Sequence, residues 1–369
     1  MQKKSLYVHI PFCVSKCLFC SFAISVGQTH RTDDYIFALE TESRKYHGQD
    51  ISTVYWGGGT PTFLNEKQIE RLSEALRLNF SIDQDAEWTI EANPENLNLS
   101  KAKMLRKVGF NRLSLGLQTF ENNYLKFLGR NHDRETALSA FKAARDAGFA
   151  NINVDLMFSF PGQTDSEISR DIQALGKLKS EHVSLYGLTI DEKSRFYAQQ
   201  LKLEDQEILA NQYVLVCQLL ENEGLMQYEV SNFCRRGYES VHNSNYWSGA
   251  SYIGLGMGAH SFLGGRRHWN VDKLNQYLER IQQAQDVIGG FEDLNASTQL
   301  IERLLFGLRQ NKGIDLGKIE QDMGVSLDQN RKDLLDAFIK DGFVYNADGY
   351  IRTTMKGRLV LDEICSRLV

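Results

Sequence analysis

The sequence predicts an α/β protein, with a partial (β/α)6 barrel followed by a winged-helix-like α+β domain. Three observations predict it. Short apolar runs alternate with amphipathic helical patterns through the first half of the 369-residue chain, as expected of a parallel sheet with right-handed crossovers. The alternation stops near residue 190 after six units, short of the roughly 250 residues that an eight-unit barrel takes. Beyond Asn295 the pattern changes to helices and a hairpin.

The strands are expected at Ser5–Ile10, Thr53–Trp56, Trp88–Asn93, Arg112–Leu117, Asn151–Phe158 and His182–Leu188, each an apolar, β-branched or aromatic run. Apolar residues at helical spacing place helices over Thr32–Tyr46, Glu66–Asn79, Ser100–Val108 and Asp133–Ala147. In the last part, helices are expected at Gln299–Arg309, Leu316–Met323 and Gln329–Ile339. A hairpin then turns at Asn346–Gly349 between Phe343–Tyr345 and Tyr350–Arg352, and a helix runs from Lys356 to Leu368. The organisation expected is a core barrel over 1–230, a connecting region over 231–295 and a C-terminal domain over 296–369.

Composition narrows the function. Hydrophobic residues make up 42% and charged residues 24%, enough to bury a core. The formal charge of −5 argues against a general nucleic-acid or anionic-membrane binder. A winged helix could still bind DNA. Its would-be recognition helix, Asp328 to Asp341, sets Arg331, Lys332 and Lys340 against Asp328, Asp333, Asp336 and Asp341, a face that releases no phosphate counterions. No nucleic-acid partner is expected. No apolar stretch approaches the roughly 20 residues of a membrane span, and the basic Met1–Ser5 segment leads into His9 and Pro11 rather than a secretory core. A soluble, cytoplasmic protein is expected, with membrane contact only through partners.

Of six cysteines, Cys13, Cys17 and Cys20 fall inside one eight-residue window, while Cys217, Cys234 and Cys365 are scattered. In a large cytoplasmic chain, clustered cysteines are thiols suited to a metal. Their C-x-x-x-C-x-x-C spacing suits an iron–sulfur cube with one iron left free of protein. A zinc site completed by His9 or His30, or three buried thiols without a task, are the alternatives. Cys217, in the apolar run Tyr213 to Leu220, reads as core.

The segment Tyr7-Val8-His9-Ile10-Pro11-Phe12-Cys13, leading into Cys17 and Cys20, resembles the radical S-adenosyl-L-methionine (SAM) superfamily. Within it, the likeness is to oxygen-independent coproporphyrinogen III oxidase and its haem-chaperone relatives, and it covers nearly the whole chain. The resemblance implies a radical SAM barrel and a 4Fe-4S cluster on Cys13, Cys17 and Cys20, with SAM chelated at the open iron. It also implies one-electron cleavage of SAM to a 5′-deoxyadenosyl radical, and a C-terminal domain closing over the barrel mouth.

Chemistry in such barrels sits at the carboxyl ends of the strands. The second strand runs into Gly57-Gly58-Gly59-Thr60-Pro61, where glycines let backbone approach a ligand. The resemblance makes Gly58, Gly59 and Thr60 the cradle of the SAM amino group. Glu91, Gln118 and Asp155 lie at or near the following strand ends, and Arg130 follows on a helical segment. Together they supply acceptors for amino and ribose hydroxyl groups and a donor for a carboxylate. By resemblance Tyr7 and Phe19 join them.

The oxidases add a cysteine two places after the third. Here that position is Phe22. They also carry an extension ahead of the motif, and none is expected here with the motif opening at Tyr7. Both departures are shared with the chaperone relatives and count against coproporphyrinogen oxidation. His242-Asn243-Ser244-Asn245-Tyr246-Trp247 matches an H-N-x-x-Y-W motif associated in those relatives with haem binding. Imidazole is a common haem ligand and aromatic residues stack on porphyrins, so His242, Tyr246 and Trp247 are haem-binding candidates. A satisfied structural histidine ahead of a core aromatic pair is the alternative. His260 is a second candidate ligand, after a glycine run read as a tight turn at the barrel's open edge. The reading is a haem chaperone that delivers haem to respiratory haemoproteins, with the oxidase as alternative. A homodimer is compatible with it.

Overall fold

Near-continuous apolar runs make strands buried on both faces, which is what a parallel sheet needs. The computed structural model describes residues 3–369 and centres on a twelve-stranded sheet. In chain order its strands are β1 Lys4–Ile10, β2 Asp50–Gly58, β3 Ser81–Ala92, β4 Arg112–Gln118, β5 Asn151–Phe158, β6 His182–Gly187, β7 Met226–Gln227, β8 Asn232–Cys234, β9 Tyr252–Leu255, β10 His260–Leu263, β11 Arg266–Asn270 and β12 Ile288–Asp293. Across the sheet the order is β12-β11-β10-β9-β1-β2-β3-β4-β5-β6-β8-β7. Strands β1 to β6 pair in parallel in sequence order, the partial (β/α)6 barrel expected.

The edges hold what the sequence does not announce. β9 pairs in parallel with β1, setting Tyr7 beside Gly254, and β10 to β12 follow antiparallel. Residues 231–295, expected as a connecting region, thus contribute five strands, β8 to β12, to the same sheet. β3 begins at Ser81, seven residues before the expected Trp88, because pairing with β2 recruits its polar front half.

Helices cover the sheet. Helix Glu66–Asn79 has the expected bounds, fixed by a capping box between Asn65 and Gln68. One core runs from Leu6 through Trp56, Leu113 and Val154 to Tyr277. A second, with Leu300, Leu304, Phe338, Val344 and Ile351, belongs to the C-terminal helices and the hairpin Val344–Ala347/Tyr350–Thr353, and Val230 packs against it. The expected last helix is two pieces, Met355–Leu359 and Leu361–Leu368, broken where Val360 leaves helical geometry. Among the described residues no helix is long and apolar enough to cross a membrane.

Candidate functional site

The cysteine loop follows β1 and is held by backbone rather than by its thiols. Leu18 N–H donates to the Leu128 carbonyl at 3.0 Å, and the Leu18 carbonyl accepts from Phe196 N–H at 3.0 Å. Leu18 and Phe19 also pack on a small core of Tyr124, Leu128, Phe160 and Phe196. Phe19, expected at the cofactor site beside the cluster, is held in place by this packing. Cys13, Cys17 and Cys20 are half-buried free thiols. The Cys13 sulfur lies 3.5 Å from Thr60 Oγ1, and Arg130 Nη1 donates to the Cys17 sulfur at 3.4 Å. Burial pushes the Cys13 thiol up to about 11 and raises the Cys20 thiol, a field that a bound cation would reverse. Among the described residues no three His, Cys, Asp or Glu side chains converge as a single-ion site would have them. A cube does not require that convergence, since each thiolate binds a separate iron. His9, offered as a zinc ligand, engages both ring nitrogens, with Ala23 O at 2.8 Å and Tyr7 Oη at 3.1 Å. His30 stands exposed on the short helix Thr29–Arg31.

The glycine run meets this loop edge on. Gly59 N–H donates to Ile10 O and Thr60 N–H to Phe12 O. A Cβ on Gly59 would sit 2.7 Å from the Pro11 carbonyl, so only glycine permits the approach. Gly58 has φ +108° and donates its N–H to Glu91 at 3.1 Å.

Around that cradle the expected polar residues converge. Glu91 accepts from Tyr55 Oη at 2.8 Å, and Asp155 from Ser114 at 3.2 Å and Asn153 at 2.7 Å. Gln118 ends β4 at φ +69°, a strained turn beside a register shift against β5. Arg130 donates to Asn93 at 2.8 Å and to Gly116 O at 3.0 Å, and its Nε is buried without a partner among the described residues. Asn93, which sequence reasoning missed, donates in turn to Thr60 Oγ1 at 2.9 Å, joining Arg130 to the glycine run. Two adjacent acids, a buried orphan N–H and a side-chain-free cradle fit a cationic amino-acid nucleoside such as SAM.

Burial first, then Asp155, raises Glu91 to about 7. Its stabilising contribution is therefore complete below its ordinary value of 4.5 and is lost as pH rises through about 7. In the cluster-free chain, Glu91→Gln is expected to be more stabilising, or less destabilising, at pH 8 than at pH 5 by about 1–3 kcal/mol. Denaturant unfolding at the two pH values checks this, and an equal difference at both would overturn it.

Beside the loop opens a cavity of about 580 Å³, a size typical of small-molecule sites. The barrel contributes Tyr7 and Tyr55, and the cysteine loop contributes Phe22, which is 64% exposed. Tyr246 and Trp247 come from helix Val241–Trp247, His260 from β10, and Arg303 and Phe306 from helix Ala296–Arg309. Tyr7, expected with SAM, thus lies in this wall, its ring 6.2 Å from that of Tyr55.

His242 touches the cavity but is only 1% exposed. Thr53 Oγ1 donates to Ser5, so His242 Nδ1–H donates to Thr53 at 2.8 Å, and Nε2 accepts from the Tyr246 hydroxyl at 3.0 Å. Burial lowers it to about 3, keeping the imidazole neutral with its lone pair occupied. This differs from the expectation of a presented ligand. His260 is exposed, stacks on Trp269 at 5.7 Å, and has no hydrogen bond to its ring nitrogens among the described residues. Desolvation, then Arg267, lowers it from 6.5, leaving a free lone pair at neutral pH.

Comparison with known proteins follows the same division. Residues 7–175 match the Radical SAM superfamily, and residues 294–360 match the HemN C-terminal domain. The chain is 36% identical to heme chaperone HemW of Bacillus subtilis (strain 168), over 98% of each chain. It is 30% identical to oxygen-independent coproporphyrinogen III oxidase of Salmonella typhimurium, over 98% of this chain and 84% of the relative. Coproporphyrinogen III oxidase HemN from Escherichia coli, a radical SAM enzyme, superposes with a TM-score of 0.87 at 29% identity, covering 99% of this chain and 90% of HemN. Full-length likeness at this level settles kinship, and the chain belongs to the radical SAM superfamily and, within its oxygen-independent coproporphyrinogen III oxidase-like family, to the HemW group.

Proposed function

We propose that this protein is a haem-binding chaperone on a radical SAM scaffold, which holds a 4Fe-4S cluster and SAM and passes haem to respiratory haemoproteins. The observation that carries the reading is the aromatic cavity beside the cysteine loop, into which His260 presents a neutral, unengaged imidazole. Trp247, Tyr246 and Phe306 offer faces for a porphyrin ring. Phe22, where the oxidases place a cysteine, lines that cavity as an apolar side chain.

When bound, the cluster and SAM supply one-electron chemistry at the sulfonium. The chain's part is to position them. Cys13, Cys17 and Cys20 supply three thiolates. Gly58, Gly59 and Thr60 cradle the amino group, Glu91, Asp155 and Gln118 accept from amino and ribose groups, and Arg130 meets the carboxylate through its free Nε. The names of the relatives support the haem assignment.

An anaerobic haemin titration of the cluster-reconstituted chain, run beside a coproporphyrinogen III turnover assay with SAM and dithionite, tests it. Stoichiometric haem uptake with a Soret band and no protoporphyrinogen is expected. Turnover without haem uptake would replace the chaperone with the oxidase.

A further inference from the structure

The cavity wall carries three charged side chains, Arg267, Glu302 and Arg303, and their partners set them apart. Arg267 Nη2 donates to both Glu302 oxygens at 2.8 and 2.7 Å, and its Nη1 donates to Glu292 at 2.7 Å. That guanidinium is fully compensated, and Glu302 is committed to it. Arg303 is half-buried on helix Ala296–Arg309 and makes no ion pair or hydrogen bond among the described residues. Its arm lies along Gly249, where a Cβ would come within 3.2 Å of Arg303 Cγ and 3.3 Å of Nε. Gly249 has φ +69° at the end of the Tyr246-Trp247 segment, so the missing side chain leaves a slot for the arm. A cation held in an aromatic wall without a counter-ion is costly unless an anion joins it. A guanidinium fork matches a carboxylate.

We propose that Arg303 anchors a peripheral carboxylate of the tetrapyrrole, so that the cavity selects porphyrins with free acid side chains. The proposal rests on the haem-binding reading above and deepens it. The iron-facing imidazole would come from β10 and the carboxylate clamp from the C-terminal helix, so that ligand joins the two parts of the chain.

The test uses the full, cluster-reconstituted chain, titrated with ferric haem and with its dimethyl ester and read by the Soret band. The unsubstituted chain is expected to prefer the free acid by about tenfold, the worth of a hydrogen bond to a charged group. Arg303→Gln is expected to weaken haem and leave the ester unchanged, removing the preference, and Arg303→Lys to restore part of it. No preference in the unsubstituted chain, a preference that survives in Arg303→Gln, or equal weakening of both ligands would each overturn the anchor. Uptake of neither ligand by the unsubstituted chain would instead sink the haem reading itself, a failure seen without any variant.

Discussion

Alanine at Cys13, Cys17 and Cys20 together is expected to leave a colourless, folded protein that holds no iron after anaerobic reconstitution. The unsubstituted chain should turn brown with about four irons. The loop's anchors explain why the fold survives. Leu18 is bonded on both sides through its backbone, to Leu128 and Phe196, and Ser25 N–H donates to the Pro11 carbonyl at 2.7 Å. None of these bonds uses a thiol, and the three cysteines are half-buried rather than core. Unfolding of the cluster-free variant is expected within about 1 kcal/mol of the cluster-free parent, because half-buried thiols outside the core make small contributions. Alanine at Cys217, Cys234 or Cys365 should leave the iron in place, since none of these cysteines joins the loop. Iron content and visible absorbance decide the matter, and a triple variant that keeps its colour would refute the site.

The parallel half of the sheet was legible because burial on both faces writes itself as unbroken apolar runs. Asn151–Phe158 has the same bounds in sequence and structure. The first half of β3 was not, since the residues Ser81 to Glu87 are mostly polar or acidic and become strand only by pairing with β2. β10 to β12 escaped for a related reason. They are strands of four to six residues, Arg266-Arg267-His268-Trp269 among them, with Gly264-Gly265 between β10 and β11 and the helix Leu274–Gln282 between β11 and β12, stitched to β1 through β9, far away in sequence. At the site, charged residues at strand ends were easy to single out. Asn93 was not, because a neutral amide at a strand end is unremarkable until Arg130 and Thr60 are seen on either side of it. Arg303 was likewise one cation in an expected helix, and only the pairing of its neighbour Glu302 with Arg267 leaves it without a partner among the described residues.

The haem candidates separate under substitution. His242→Ala would remove a buried ring that fills space against Tyr55 at 5.0 Å and satisfies the hydroxyl of Tyr246. It would also leave Thr53 without its donor. Those losses are expected to cost about 2–4 kcal/mol of stability. His260→Ala removes an exposed ring, so the fold should change by no more than about 0.5 kcal/mol. Its effect is expected on the ligand, with the Soret band lost or shifted and recovered when free imidazole is added. Affinity in the unsubstituted chain should fall as pH drops through the His260 titration, which lies below its ordinary 6.5, because protonation consumes the lone pair that binds iron. His260→Ala should abolish that dependence. The contrary result, a folded His242→Ala protein without a Soret band beside a His260→Ala protein that keeps it, would mean that haem entry displaces the Tyr246 hydroxyl from His242. The ligand would then break a buried hydrogen bond on entering. The motif residue would thus be one the protein stores closed, and the unligated cavity would differ from the loaded one at its most buried wall.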